Sequence, residues 1–412
     1  MKKFIDYLAL IMIFITSGAI IHLLQEGGAH EQFDTVEHHG IFSALPLMWK
    51  IGVSCLFILI INKSRLKYFK IDLFFSVLLL IFILSSFFSN YKNPSFFFII
   101  NTLLSYLLIN MQVKILGYKH TIMFLNNFFI SILSLSIIAI LLLPSYGLSV
   151  GEHSGKWQGV FGHKNTLGNF ASLTFIFYTW LYTVNKKLLN FYGITLSVIL
   201  TMGSQSSTSL GILLFCCFFY IMLRIPFIRH LIFNQRFLII GVFGVLSVFT
   251  VLTAINGDQY SIQDKDTSFT GRNAIWAYFI EEIADAPLIG HGLDQFTSLV
   301  AEDDTDFIKR VGIAVMTPHN GFLDCAYSIG YVGLFVVSIR LLQLLQFKYY
   351  MPAFELCFLY LIYLIILNTF EARLIGFNLQ FIMLMYIYAI SRSMSEKNPS
   401  ITRTSPMQLT NK

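Results

Sequence analysis

Apolar residues run along this chain in long blocks separated by short polar stretches. A helix that crosses a bilayer needs about 20 consecutive, mostly apolar residues. Twelve windows meet or approach that length: Phe4–Leu24, Pro46–Ile61, Leu73–Ser89, Ser95–Met111, Thr121–Leu143, Thr166–Val184, Phe191–Gly203, Ser209–Leu223, Phe237–Ile255, Gly321–Arg340, Ala353–Phe370 and Leu374–Ser391. The pattern predicts an all-α polytopic membrane protein with about twelve transmembrane helices. Between the seventh and eighth windows lies the polar run Ser204-Gln205-Ser206-Ser207-Thr208-Ser209. It predicts a tight polar hairpin at one membrane face.

The one long polar segment, Asn256–Asn320, falls between the ninth and tenth windows. Loops of this length in compact proteins are usually functional. Within it, Arg272–Ala286 carries Ile275, Trp276, Phe279, Ile280 and Ile283 at helical spacing. That spacing predicts an amphipathic helix ending at Asp285 and Pro287, with its apolar face on the bundle or the lipid interface. The tail after Arg392 is polar and reads as disordered.

Composition agrees with a membrane protein: the 412 residues are 56% hydrophobic and 12% charged, about half the charged share of a soluble domain. The start, Met1-Lys2-Lys3 before an apolar run, shows no small-residue cleavage site, so it reads as a retained first helix. The five cysteines lie in or beside apolar windows without metal-ligand spacing. Neither a disulfide nor a zinc site is expected. An even number of spans puts both termini on one side, and the positive-inside rule makes that side the cytoplasm. Inner segments then hold 19 of the 28 basic residues and four of the 22 acidic ones, near +15 inside and −9 outside. The net charge of +6 is thus a topology signal and not a nucleic-acid footprint.

Three polar motifs fall on the outer side of this topology: Gly162-His163-Lys164-Asn165, Thr270-Gly271-Arg272 and Pro318-His319-Asn320. Arg272 opens the amphipathic helix. A helix N-terminus offers free N–H groups, and a guanidinium adds a fork matched to phosphate oxygens. An interfacial arginine meeting lipid headgroups is the plainer alternative. His319 begins the tenth span and is suited to accept a proton near neutral pH; an ordinary interfacial histidine is the alternative. Lys164 is a point charge suited to phosphate, and Asn165 is a natural N-cap for the sixth span. Gly330 and Gly333 read as sites of close helix packing. Glu371 and Arg373, in the outer link between the last two spans, are a surface ion pair or a carboxylate with a second phosphate ligand. The acidic run Glu302–Asp306 lacks ligand spacing, and no metal is expected there. Nearly all charges sit at span ends, which speaks against a transporter or flippase, whose charges lie deep in broken spans.

The stretch Gly159-Val160-Phe161-Gly162-His163-Lys164-Asn165-Thr166-Leu167-Gly168 resembles exopolysaccharide polymerases of the O-antigen ligase/polymerase superfamily. Thr270-Gly271-Arg272 with Trp276, followed by Pro287-Leu288-Ile289-Gly290-His291-Gly292, is similar to that superfamily's external loop. His319-Asn320 followed by Gly330-Tyr331-Val332-Gly333 resembles the His-Asn…Gly-x-x-Gly signature of O-antigen ligases. The Ser204–Ser209 run and Glu371 also resemble family features, so the resemblance covers about Gly159 to Arg373.

It implies a GT-C-like glycosyltransferase of the bacterial inner membrane. The implied donor is an undecaprenyl-diphosphate-linked glycan at the outer face, and the acceptor is a glycan or lipid A core. Membrane lipids and a chain-length regulator are further implied partners. Transfer would be inverting, with no cofactor and no metal. His319 would be the base and Arg272 the diphosphate ligand. His163, Lys164, Asn165, Asn320, Glu371 and Arg373 would contact substrate. His-Lys-Asn at the sixth span points to a polymerase of O-antigen or capsule, and the signature at His319 points to a ligase. The implied division is an N-terminal bundle over 1–158, a catalytic region over 159–373 with external loop 256–320, a last helix over 374–391 and a cytoplasmic tail over 392–412.

Reporter fusions in the Asn256–Asn320 segment should read as external. A cytoplasmic signal there would put every motif in the wrong compartment and end the shared-site reading.

Overall fold

The computed structural model describes residues 2–19, 47–55, 72–89, 92–256, 272–293, 317–348 and 352–397. These residues are mostly helical and contain no sheet; Leu148 and Trp157 form an isolated bridge. In chain order the helices are α1 (Lys2–Ser17), α2 (47–55), α3 (Leu73–Phe88), α4 (Lys92–Met111), α5 (Tyr118–Leu142), the single turn α6 (Pro144–Gly147), α7 (Lys164–Val184), α8 (Leu188–Ser204), α9 (Ser207–Met222), α10 (Pro226–Asn256), α11 (Arg272–Asp285), α12 (Gly321–Gln343), α13 (Pro352–Phe370) and α14 (Leu379–Lys397).

A helix stands in each of the twelve apolar windows. Among the described residues, five helical segments are long and apolar enough to cross a membrane: Ser95–Leu116, Tyr118–Leu142, Pro226–Leu252, Gly321–Gln346 and Pro352–Phe370. Twelve spans therefore remain an expectation. The ends of the first two windows, Thr270-Gly271, the acidic run Glu302–Asp306 and the tail beyond Lys397 lie outside the described residues. Window twelve is shifted: α14 begins at Leu379, not Leu374, because Glu371–Asn378 forms an irregular connection that Asn378 closes by accepting the Phe381 N–H at 2.9 Å.

Helix α13 sits at the centre. It is apolar on all sides, and nearly every residue from Ala353 to Thr369 is buried, the signature of a core helix. It packs against α7, α9, α10, α12 and α14. By contrast, α10 leaves Phe237, Leu238, Val242, Val245, Val248 and Phe249 exposed, as a lipid-facing helix does. The run Ser204–Ser209 is the tight hairpin its sequence implied. Gln205 turns through the left-handed region at φ 50° between α8 and α9, and Ser204, Ser206 and Ser209 are buried. Gly168 of α7 packs directly on these hydroxyls, with Ser206 Cβ at 3.0 Å from where a side chain would begin.

The amphipathic helix forms as α11. Its buried Ile275, Trp276, Phe279 and Ile283 pack on Ala326 and Tyr327 of α12, so the apolar face lies on the bundle. The loop after α11 explains Gly330. At that residue α12 breaks, with φ 68° and ψ −179°. The freed backbone groups pair with the loop: His291 N–H donates to Tyr327 O at 2.8 Å, Gly292 N–H to Ser328 O at 3.1 Å and Tyr331 N–H to Pro287 O at 2.7 Å. A buried break must satisfy its backbone groups in this way. Gly330 is thus a left-handed break against a loop backbone and not a helix–helix packing site; the glycine expected to let two helices close instead lets a loop dock.

Gly330→Ala should cost about 1–3 kcal/mol from the positive φ, with a further clash against the Leu288 carbonyl. Thermal melting in detergent should fall, and protease should gain access to residues 286–293. Unchanged melting and protection would mean that the break tolerates a side chain and that this account of Gly330 is wrong.

Candidate active site

The ends of four helices meet at one point. α12 starts there, α13 ends there, and α7 and α11 each bring their N-terminus. The seam between α12 and α13 sets the geometry. Gly321 lies so close to Asn368 that a Cβ would collide with the Asn368 amide. Asn320 caps α12, its Oδ1 accepting from Phe322 and Leu323 N–H at 3.0 Å each. Its Nδ2 donates to Thr369 O at 3.1 Å. Asn368 Oδ1 accepts the Arg373 N–H at 2.9 Å, which holds the link after α13. Asn320 is buried and its amide is engaged at both ends, so its geometry is that of a positioning residue.

His319 precedes that cap in a strained turn with φ 50°, a conformation non-glycine residues rarely adopt. Trp276 of α11, fully buried, donates its indole N–H to Pro318 O at 3.0 Å. This bond ties the turn carrying His319 to the helix that opens with Arg272. The imidazole is 26% exposed and its Nδ1 faces Glu371 Oε2 at 4.0 Å. Nδ1 is itself buried and makes no hydrogen bond within the chain.

Glu371 is the common neighbour. Its Oε1 lies 4.0 Å from the Arg272 guanidinium and accepts from Asn165 Nδ2 at 3.5 Å. Burial by itself would raise the pKa of this carboxyl. The facing His319, Arg373 and Arg272 outweigh burial and hold it below the usual carboxylate range. Glu371 is therefore an ionised, buried group and not one half of a surface ion pair.

His163 corrects the capping assignment. The N-cap of α7 is His163, whose Nδ1 accepts the Asn165 N–H at 3.1 Å. This leaves the Asn165 side chain, the second residue of the helix, free to reach Glu371. Burial and the neighbouring His153, whose ring lies 5.5 Å away, push the His163 pKa down to about 4, with Lys164 and His319 adding to the shift and Glu371 opposing it. His163 is thus a neutral polar group, not a cation. Lys164 is buried in the first turn of α7, where its ammonium feels both Lys156 and Glu371.

The arrangement brings together Arg272, His319, Glu371 and Asn165, with His163, Lys164 and Arg373 around them. Sequence reading did not single out His153, Lys156, Asn368 or Thr369. A buried asparagine at the end of an otherwise apolar span was the available signal for Asn368. Chemically the site offers guanidinium and ammonium groups for an anion, a histidine backed by a carboxylate, and an outer-loop helix held in register by one indole.

A family model described as O-Antigen ligase matches residues 192–338. The matched region takes in Arg272, Trp276, His319, Asn320 and the break at Gly330; Glu371 and Arg373 lie beyond it, and His163–Asn165 before it. No curated protein matches the chain.

The shift at His163 has a pH consequence. Its folded pKa near 4 lies below the ordinary 6.5, so the unfolded chain binds the extra proton first as pH falls. The stability that depends on neutral His163 is full above pH 6.5 and is lost between 6.5 and about 4. Histidine-selective NMR in detergent should show His163 untitrated at pH 5.5. A His163 resonance with a midpoint near 6.5 would overturn both the burial argument and the neutral cap.

Proposed function

We propose, from the match of residues 192–338 to a family model described as O-Antigen ligase, that this chain is a glycosyltransferase of the O-antigen ligase/polymerase superfamily acting on a lipid-diphosphate-linked glycan, favoured as a surface or exopolysaccharide polymerase. The observation that carries this reading is the convergence of Arg272, His319 and Glu371 from three separate parts of the chain. A base, its carboxylate partner and an anion-binding fork are what transfer from a diphosphate requires.

In this reading the donor is undecaprenyl-diphosphate-linked glycan at the outer face of the inner membrane, in a chain of twelve spans with cytoplasmic termini. The acceptor hydroxyl oxygen attacks the anomeric carbon from the side opposite the diphosphate. Its proton passes to His319. Because Nδ1 faces Glu371, Nε2 is the nitrogen offered to the hydroxyl, and the Glu371 carboxylate stabilises the imidazolium that forms. The C–O bond to the diphosphate breaks and its electron pair leaves with the phosphate. Arg272 meets that charge with a bidentate fork, assisted by Lys164 and Arg373. Asn165 and His163 supply neutral polar contacts. No step calls on a metal.

The second reading is a ligase that joins the finished glycan to lipid A core or protein. The matched family's description and the His319-Asn320…Gly330-x-x-Gly333 pattern favour it. Deleting the gene separates the two. Loss of the high-mass glycan ladder with one repeat unit retained marks a polymerase; loss of all surface glycan with lipid-linked polymer retained marks a ligase. An unaltered surface glycan would reject both.

His319→Ala should abolish transfer while donor binding stays largely intact, because a base acts in the transition state. Arg272→Lys should lower turnover by about 100-fold, since a point charge does not replace the fork. Lipid-linked donor binding measured beside turnover tests both. Equal losses of binding and turnover in His319→Ala would make His319 a positioning residue instead of the base.

A further inference from the structure

A second polar feature lies at the far end of α12. Arg340 is twenty residues from Asn320 in a segment apolar and long enough to cross a membrane. Twenty residues at about 1.5 Å each would span about 30 Å in an unbroken helix, one hydrocarbon thickness, and the break at Gly330 makes that an upper bound. Arg340 and the active-site cluster therefore belong to opposite membrane surfaces. The charge asymmetry of the loops makes the Arg340 side the cytoplasmic one.

A cavity of about 690 Å³ opens there between α3, α4, α12 and α14. Its volume lies in the usual ligand range of about 300–1,000 Å³. One wall is apolar, built from Phe75, Leu78, Phe381, Leu384 and Met385. The charged lining is Lys114, Arg340 and Arg392 against Asp72 and Glu396, a surplus of one positive charge. All five come from segments assigned to the inner side. Arg340 is braced: it pairs with Asp72 at 2.8 Å, donates to Gln343 at 3.0 Å and stacks over Tyr388 at 3.6 Å. Tyr106 donates to Asp72 at 3.1 Å and completes the floor. Lys114 and Arg392 stand exposed at the mouth, Arg392 paired with Glu396 at 2.9 Å across one helical turn.

The chemistry of this cavity is amphipathic in the direction of the bilayer. Cations and amide groups rim it at the headgroup level, and aromatic and aliphatic side chains continue towards the hydrocarbon. A free phosphate would satisfy only the rim, and a neutral hydrocarbon only the wall. We propose that this cavity holds an anionic phospholipid of the cytoplasmic leaflet, its phosphate between Lys114 and Arg392 and one acyl chain along the Leu78–Leu384 wall. Basic recesses between spanning helices on the cytoplasmic side are suited to such headgroups. The site lies away from the outer-face cluster and does not depend on the reading of that cluster.

The test uses full-length protein, delipidated in a non-ionic detergent and titrated with phosphatidylglycerol, phosphatidylcholine or glycerol 3-phosphate, with binding read by native mass spectrometry. The wild type should prefer phosphatidylglycerol over phosphatidylcholine by about tenfold or more. Lys114→Gln with Arg392→Gln, both at exposed positions, should weaken phosphatidylglycerol binding by about 30-fold and abolish that preference. Leu384→Trp, which fills the apolar wall, should weaken both lipids and leave their ratio unchanged. Equal binding of the two lipids by the wild type, or a preference that survives the double substitution, overturns the proposal. Glycerol 3-phosphate binding as tightly as phosphatidylglycerol would mean a soluble-phosphate site and would also overturn it.

Discussion

The arrangement at the outer face depends on one buried carboxylate. Removing an ionised glutamate from water costs several kcal/mol unless opposite charges and hydrogen-bond donors compensate. Glu371 is 8% exposed and stays ionised because Arg272, His319, Arg373 and Asn165 surround it. These groups come from α11, the turn before α12, the link after α13 and the first turn of α7. Three remote parts of the chain thereby meet one anion and its neighbour Arg373.

Helix packing makes that meeting possible. The seam where Gly321 rests on Asn368 sets the height of the turn carrying His319 against the end of α13. Asn320 reaches across this seam to Thr369 O, while Asn368 ties its own helix at Leu364 O to the link after it by accepting the Arg373 N–H. The Trp276 indole carries the register outward to α11. Below it, the docked loop after α11 satisfies the break at Gly330. The outer loop is thus fixed to α12 by an indole near its N-terminus and by backbone pairing half-way down. Arg272 owes its position to both attachments.

Much of this was legible in the sequence. Apolar windows located the helices because a spanning or core helix cannot carry many charges. The spacing of Ile275, Trp276, Phe279 and Ile283 gave α11 because burial of one face imposes a period near 3.6. Arg272, His319 and Lys164 stood out as charges at span ends. Other features needed three dimensions. Asn165 looked like a cap by residue type, yet the extended backbone at His163 makes the histidine the cap. Glu371 and Arg373 are two apart in sequence and read as a local pair, whereas the partners that keep Glu371 ionised include residues 52 and 99 positions away in the chain. The glycine at 330 signalled a close approach, but not that a loop would be the neighbour. The network of Asp72, Tyr106, Arg340 and Tyr388 joins four helices, and no local spacing announces it.

The charge balance of the outer cluster bears on the substrate. Arg272, Lys164 and Arg373 contribute three positive charges, Glu371 removes one, and His163 is neutral. Lys156, beside Lys164, adds a further cation, so the gathered residues carry a surplus of positive charge. A diphosphate esterified at both ends, by a sugar and by a polyprenyl chain, carries two negative charges near neutral pH. Such a substrate would meet a cluster of the opposite sign. A phosphomonoester near full ionisation has the same charge on a single phosphorus, but the cations at Arg272 and Lys164 stand on different helices. Glu371 faces both Arg272 and His319 at 4.0 Å, the outer edge of ion-pair contact. A carboxylate in full bidentate contact with Arg272 would have to be broken before the substrate could bind. A loosely held pair orients the guanidinium without consuming it.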